Sequence, residues 1–246
     1  MTWPEAAERF AAGAVVVIPV GAVAKEHGHH LPLNAEYLIV KELVDGLTVT
    51  LPIVAAPVVS VTYAPVFKGY PGSQHIAADT FIAMMTELLA NLVAQGARHI
   101  AIVNSGDSTE GPLRLVINQF FDQTSVRVGL SNLRLLGRDL DGILEQDQGG
   151  HADERMTSMM LAIAPETVRM ERTRPDYGRR PTANRAFTQP VRFSSDKDAE
   201  DIDFSETGII GDPTLATAKK GKRLLNEITE QLSEGLRDLF PDIDKV

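Results

Sequence analysis

Apolar residues along the chain fall into two kinds of pattern, short continuous runs and runs with helical spacing. Residues 14–20 read AVVVIPV, and residues 99–104 read HIAIVN. Continuous β-branched runs of this length predict strands buried on both faces of a parallel sheet. A third apolar stretch, Leu51 to Val61, is interrupted by Pro57, so a bent or edge strand is expected there. Residues 126–136 predict a fourth strand. Between these runs the period changes. Residues 35–46 (AEYLIVKELVDG) predict a helix closed by Gly46. Phe81, Met85, Leu88 and Leu92 follow at helical spacing, from an Asp79 cap to a Gly96 stop. Residues 109–123 return to a helical pattern, and Met156, Met160 and Ile163 mark the buried face of another helix. Leu225, Ile228, Leu232, Leu236 and Leu239 define a last one, with Thr214 or the Asp212-Pro213 pair as its expected cap.

Alternation of strand and helix predicts an α/β layered fold with a largely parallel sheet. Ligands in such folds gather outside the carboxyl ends of the strands. That rule singles out the loops 21–34, 104–110 and 137–151. Residues 171–207 break the pattern, with Pro175, Pro181 and Pro190, many Arg, Asp, Ser and Thr, and weak periodicity. They read as a linker or as a functional excursion from the core. No repeat or low-complexity tract is present, and 246 residues suit one domain, 1–246.

Composition narrows the chemistry. Lys and Arg number 24 against 33 Asp and Glu, a net charge of −9 with no long basic run. This balance argues against nucleic acid or an anionic membrane as a partner. The absence of cysteine excludes thiol nucleophiles and zinc-thiolate sites. Any metal must be held by nitrogen and oxygen. The start, MTWPEAAERF, does not read as a signal peptide, and no apolar run approaches the roughly 18 residues of a membrane helix. A cytoplasmic protein acting on a small molecule is the expectation.

Three polar clusters lie where the fold would place a site. The densest, KEHGHHLPLNAE (25–36), offers Glu26, His27, His29, His30 and Glu36 just after a buried strand. Imidazole and carboxylate together suit zinc, manganese or iron. The plainer alternative is a surface loop rich in histidine. The second cluster, NSGDST (104–109), offers Asp107 as a ligand, or backbone N–H groups to an anion. A helix cap by Asp107 or Ser108 explains it equally simply. In the third, GGHADERMTSMMLAIAP (149–165), His151 is placed as a general acid or base at a helix start and Glu154 as a ligand. Asp153 and Glu154 also fit ordinary dipole compensation. His75 and His99 have no carboxylate-rich neighbours and receive no role.

Taken together, IPVGAVAKEHGHHLPLNAE (18–36), GYPGS (69–73), VNSGDST (103–109), GGHADERMTS (149–158) and SETGIIGDPTLATAKKGKRLL (205–225) resemble, in order, the motifs of the creatininase (creatinine amidohydrolase) family. The resemblance implies a three-layer αβα fold and a homo-oligomer, often a hexamer. It also implies a dinuclear divalent site and hydrolysis of non-peptide C–N bonds in small or cyclic amides. Carried over motif by motif, it makes His27 a ligand, sets Glu36 in place of a bridging Asp, and keeps His151 as the catalytic histidine. Glu154 matches the first Glu of the HAGExET pattern. Three ligand-type positions depart from the pattern and carry Lys25, Gly106 and Met156.

These substitutions leave three arrangements open. The site is rebuilt from Glu26, His27, Glu36, Asp107, His151 and Glu154; or it holds one ion; or it has lost the metal and kept the pocket. An ammonium beside a divalent ion opposes its binding, so Lys25 bears on all three. The leading expectation is a metal-dependent amidohydrolase in which the ion supplies hydroxide and His151 protonates the leaving nitrogen. His30 would orient a ligand, and Tyr70 and the Ser105–Ser108 turn would shape the pocket. The rivals are a metal-free relative that uses Lys25 as anchor or base, and a non-catalytic subunit on the same scaffold.

Overall fold

A computed structural model describes residues 1–178 and 205–245 of the chain. Four parallel strands form its centre. They are β1 (Val15–Val20), β2 (Val54–Ala55), β3 (His99–Asn104) and β4 (Val128–Asn132), in the order β2-β1-β3-β4. In this register Val20 lies beside Asn104, and Asn104 beside Asn132. The carboxyl ends of β1, β3 and β4 are therefore level and open on one edge.

Alternate strand residues feed two separate cores, which makes the fold three-layered as expected. Val15, Val17, Ala101 and Val103 face one side. There they pack with Ile39 and Leu43 of α2 (Ala35–Thr50), Met160 of α5 (Glu154–Ile163), and Leu224 and Ile228 of α6 (Ala218–Leu239). Val16, Ile18, Ile100 and Ile102 face the other side. They meet Phe81, Met85 and Leu89 of α3 (Ala78–Ala94) and Leu113, Val116 and Phe120 of α4 (Asp107–Thr124). Strands buried on both faces are the physical reason their sequences show no alternation.

Several element boundaries differ from the sequence pattern. The 51–61 stretch contributes only Val54 and Ala55 as a strand, with a further bridge between Val20 and Val59, because Pro57 breaks the ladder at the sheet's edge. The helix expected to close at Gly46 continues to Thr50, since burial of Leu47 outweighs the glycine. Helix α1 (Trp3–Ala11) is not among the elements predicted above; it is short, and none of its residues is fully buried. Its sequence mark is local: the Glu5 carboxylate accepts the Thr2 N–H at 2.5 Å, and Pro4 sits in its first turn. Helix α6 is capped by Thr217, whose side chain accepts the Lys220 N–H, so the cap lies beyond Thr214 and Asp212-Pro213. His151 precedes its helix: Asp153 is the cap, and His151 pairs with Ile210 in an isolated antiparallel bridge.

Of the 171–207 excursion, residues 179–204 lie outside the described residues. The two described ends are tied together. Ser205 and Thr207 donate hydroxyl hydrogen bonds to the Asp176 carboxylate at 2.8 and 2.6 Å, and Asp176 pairs with Gly211. Among the described residues, no helix is long and apolar enough to cross a membrane.

Candidate active site at the carboxyl ends of the strands

The loop 21–34 leaves β1 and returns to α2, whose first turn carries Glu36. Ser105, just past β3, holds the two neighbouring ends together. Its hydroxyl lies 3.0 Å from the Val20 carbonyl and 3.4 Å from the Glu36 carbonyl. A rung of side chains continues the register: Asn104 donates to Asn132 at 2.8 Å and accepts from Thr109 at 2.6 Å. The strand ends thus form a rigid polar shelf below the loop.

Above that shelf, five of the candidate side chains come together. Lys25 and Glu36 form a buried ion pair, each side chain only 5% exposed, with Lys25 Nζ on Glu36 Oε1. His27 Nε2 lies 3.8 Å from the same oxygen, too long for a hydrogen bond. The fully buried His27 ring stacks on His151, centroids 5.1 Å apart. His151 Nε2 in turn lies 3.1 Å from Glu26 Oε2 and 2.9 Å from the Glu26 carbonyl. The Phe67 ring closes the group, 4.5 Å from Lys25 Nζ and 4.5 Å from the His151 ring.

The other candidates stand apart from this group. Glu154 is fully buried, but its carboxylate accepts the N–H groups of Glu145 and Gln146, both at 2.8 Å, and pairs with Lys220. Asp107 is exposed and faces Arg134 at 3.4 Å. His30 is buried with Nε2 at 2.8 Å from the Thr157 hydroxyl, which fixes it against α5. His75 accepts the Ala64 N–H, and His99 Nδ1 lies 2.8 Å from the Gly13 carbonyl, so both sit in the framework.

Electrostatics follow from this packing. Burial opposes ionisation of Glu36, but the Lys25 charge and nearby His27 outweigh it and hold the carboxyl well below its usual range. Burial also opposes ionisation of Glu26, whose pKa is nevertheless lowered by His151 and by the Gly28 N–H. Burial pushes His27 down to about 4, with the Lys25 charge adding to it and Glu36 opposing. Burial likewise takes His30 to about 4. At neutral pH the group therefore holds two carboxylates and a neutral His27 ring around one ammonium, while the neutral His30 ring stands apart against α5.

The donor set does not match a divalent-ion site. Among the described residues, no three His, Asp or Glu side chains are grouped closely enough to hold an ion. Glu36 is already neutralised by Lys25, and Glu26 is engaged by Gly28 and His151. What the group does offer is one histidine, His27, with no hydrogen-bond partner on either ring nitrogen. Gly106, where the resemblance expects a histidine, is close by: a Cβ there would lie 3.3 Å from Glu36 Oε2.

The group opens into a cavity of about 900 Å³, lined among others by Lys25, Glu36, Phe67, Tyr70, Arg134 and His151. Tyr70 is anchored by donating to the Ser205 carbonyl at 2.7 Å, and burial pushes its hydroxyl up to about 12. Residues that the sequence reading passed over include Phe67, Arg134, Tyr177 and Gly208. Gly208 is held at φ +76°, and a Cβ there would fall 2.0 Å from Glu26 Oε1. Its backbone thus packs directly on the carboxylate that engages His151. The visible signal was the late motif itself, whose glycines bracket the two isoleucines of GIIG (208–211).

Comparison with known proteins agrees with this architecture. A family described as creatininase, creatinine amidohydrolase, matches residues 1–236. The mycofactocin precursor peptide peptidase of Mycobacterium tuberculosis is 29% identical over 240 residues, covering 93% of this chain and 87% of that protein. The 3-dehydro-scyllo-inosose hydrolase of Thermotoga maritima is 24% identical over 257 residues, covering 98% and 82%. A crystal structure of creatinine amidohydrolase superposes with a TM-score of 0.83 at 19% identity, covering 98% of this chain and 96% of that one. A manganese form of creatininase gives 0.81 at 20% identity, covering 98% and 97%. A Zn-Zn form gives 0.79 at 19%, covering 98% and 96%. With its profile matched nearly end to end and its parallel sheet flanked by helices as in those structures, the chain belongs to the creatininase family.

Proposed function

We propose that this protein is a hydrolase that cleaves the C–N bond of a small polar or cyclic amide, with His151 moving the proton. The observation that carries the reading is the Glu26–His151 pair, which stands at the strand ends and borders the cavity. The names of the family and of the mycobacterial relative, amidohydrolase and peptidase, support cleavage at an amide nitrogen.

The tautomer of His151 follows from its neighbours. A backbone carbonyl only accepts, so the Nε2 atom that lies 2.9 Å from the Glu26 carbonyl carries the hydrogen. Nδ1 is then the basic atom of the ring. In hydrolysis it takes a proton from water as the oxygen attacks the amide carbon. The same ring then returns that proton to the leaving nitrogen, and the products are a carboxylic acid and an amine. Glu26 is a positioning residue: its carbonyl and carboxylate lie against Nε2 and orient the ring. Gly208 sits tightly against Glu26, and stacked His27 backs the imidazole. The reaction on this chain uses no metal-bound step, because Lys25 already pairs with the Glu36 oxygen.

The test is release of amine from a panel of small amides, lactams and cyclic ureides. His151→Gln is expected to lower kcat by about 10²–10⁴-fold. Glu26→Gln is expected to lower kcat less, with KM little changed. A panel that yields no amine, or a His151→Gln protein as active as the parent, sinks the reading.

A further inference from the structure

Lys25 has an unusual position for a lysine. Its side chain is buried, its ammonium rests on Glu36 Oε1, and the Phe67 ring lies 4.5 Å away. Next to that pair stands His27, fully buried and unpartnered on both nitrogens. A buried polar atom without a partner is costly and calls for an explanation.

Spacing supplies one. Zinc is held at about 2.0–2.2 Å by imidazole nitrogen and carboxylate oxygen, so two donors to one ion stand no more than about 4 Å apart. His27 Nε2 and Glu36 Oε1 are separated by 3.8 Å. They are close enough to share an ion, and the ammonium of Lys25 is bound to the oxygen of that pair. At such a range one positive charge repels a divalent ion strongly in a buried setting.

We propose that Lys25 is the resident cation of this pocket, standing where a divalent ion would otherwise bind between His27 and Glu36 and keeping such ions out. The site is a latent metal site blocked by its own side chain. The ammonium, bordering the cavity, is then the group that meets an electron-rich oxygen of a bound ligand, such as a carbonyl or carboxylate. This inference concerns what the site binds and stands whether or not the hydrolase reading holds.

The experiment is titration of chelator-treated protein with zinc chloride and with manganese chloride, by calorimetry and by metal content after desalting. The parent protein is expected to retain no stoichiometric ion. Lys25→Glu is expected to bind one equivalent at least about 100-fold more tightly than the parent. Adding His27→Ala to that variant is expected to abolish the gain. Lys25→Gln, which removes the charge without adding a ligand of opposite sign, is expected to tighten binding by about 10-fold. It serves as the second variant should Lys25→Glu not fold by circular dichroism. Retention of a full equivalent by the parent, lost on His27→Ala, overturns the proposal. So does a folded Lys25→Glu or Lys25→Gln protein that binds no better than the parent. A protein that hydrolyses nothing yet gains an ion on Lys25→Glu defeats the hydrolase reading and leaves this one standing.

Discussion

Two lysine–glutamate pairs in this molecule, each with a buried carboxylate, have the same chemistry and opposite surroundings. Glu154 and Lys220 join α5 to α6. Glu154 also accepts two backbone N–H groups, while Lys220 reaches Glu145 at 2.6 Å and the Leu215 carbonyl at 2.9 Å. Both Glu154 oxygens and the Lys220 ammonium are used. The Lys25–Glu36 pair, by contrast, borders the 900 Å³ cavity, and His27 beside it has both nitrogens unused. A saturated ion pair holds elements together, whereas one flanked by unmet hydrogen-bonding capacity is prepared for something outside the chain. In sequence the two glutamates looked alike, as neighbours of a histidine in a polar motif. Their partners separate them.

Truncating the two lysines in parallel separates their roles most directly. Lys220→Met leaves Glu154 charged and sealed from solvent, and is expected to cost about 3–5 kcal/mol in urea unfolding. Lys25→Met leaves Glu36 at the wall of a cavity large enough to admit water, so its cost is expected to be clearly smaller. Equal losses would remove the distinction between scaffold and site.

Acid is the next largest lever. His27 and His30 have folded pKa values near 4, below the ordinary 6.5. Below pH 6.5 the unfolded chain therefore binds more protons at these rings than the folded one. Stability falls as pH drops from about 6.5 to about 4, by about 3 kcal/mol per ring. The depressed pKa of Glu36 adds a further loss in the same direction, below the ordinary carboxylate range. Urea midpoints measured at pH 7, 5.5 and 4.5 check the slope, and a flat profile contradicts the buried neutral rings.

Gly208→Ala places a Cβ against Glu26 at a positive φ. It is expected to lower stability by about 1–2 kcal/mol from backbone strain, and to lower amide hydrolysis by displacing the carboxylate from His151. An alanine variant that keeps full activity separates Gly208 from the site. The smallest effect is expected at Asp107. It borders the cavity, but its side chain is more than half exposed and pairs with Arg134, so Asp107→Asn should change stability by less than about 1 kcal/mol. It should not reproduce the loss seen with His151→Gln.

Much of the framework was legible in the chain itself. Buried parallel strands must be apolar on both faces, so β1 and β3 appear in sequence as uninterrupted runs. Loops after parallel strands collect ligands, and 21–34 and His151 fall in such loops. Helix α1 and the extension of α2 past Gly46 were less legible. The first buries little, and the second depends on a neighbour covering Leu47.

The sequence alone determined the strand pattern, the family motifs and their order, and the polar groups available: Glu26, His27, Glu36 and His151 among them. Only the tertiary structure decided how those groups are used. It set an ammonium on Glu36, committed Glu154 to Lys220, turned Asp107 toward Arg134, and paired Glu26 with His151. Motif spacing constrains where a backbone goes. The charge state and partner of a side chain depend on distances of a few ångströms between segments far apart in the chain, and those are settled by packing.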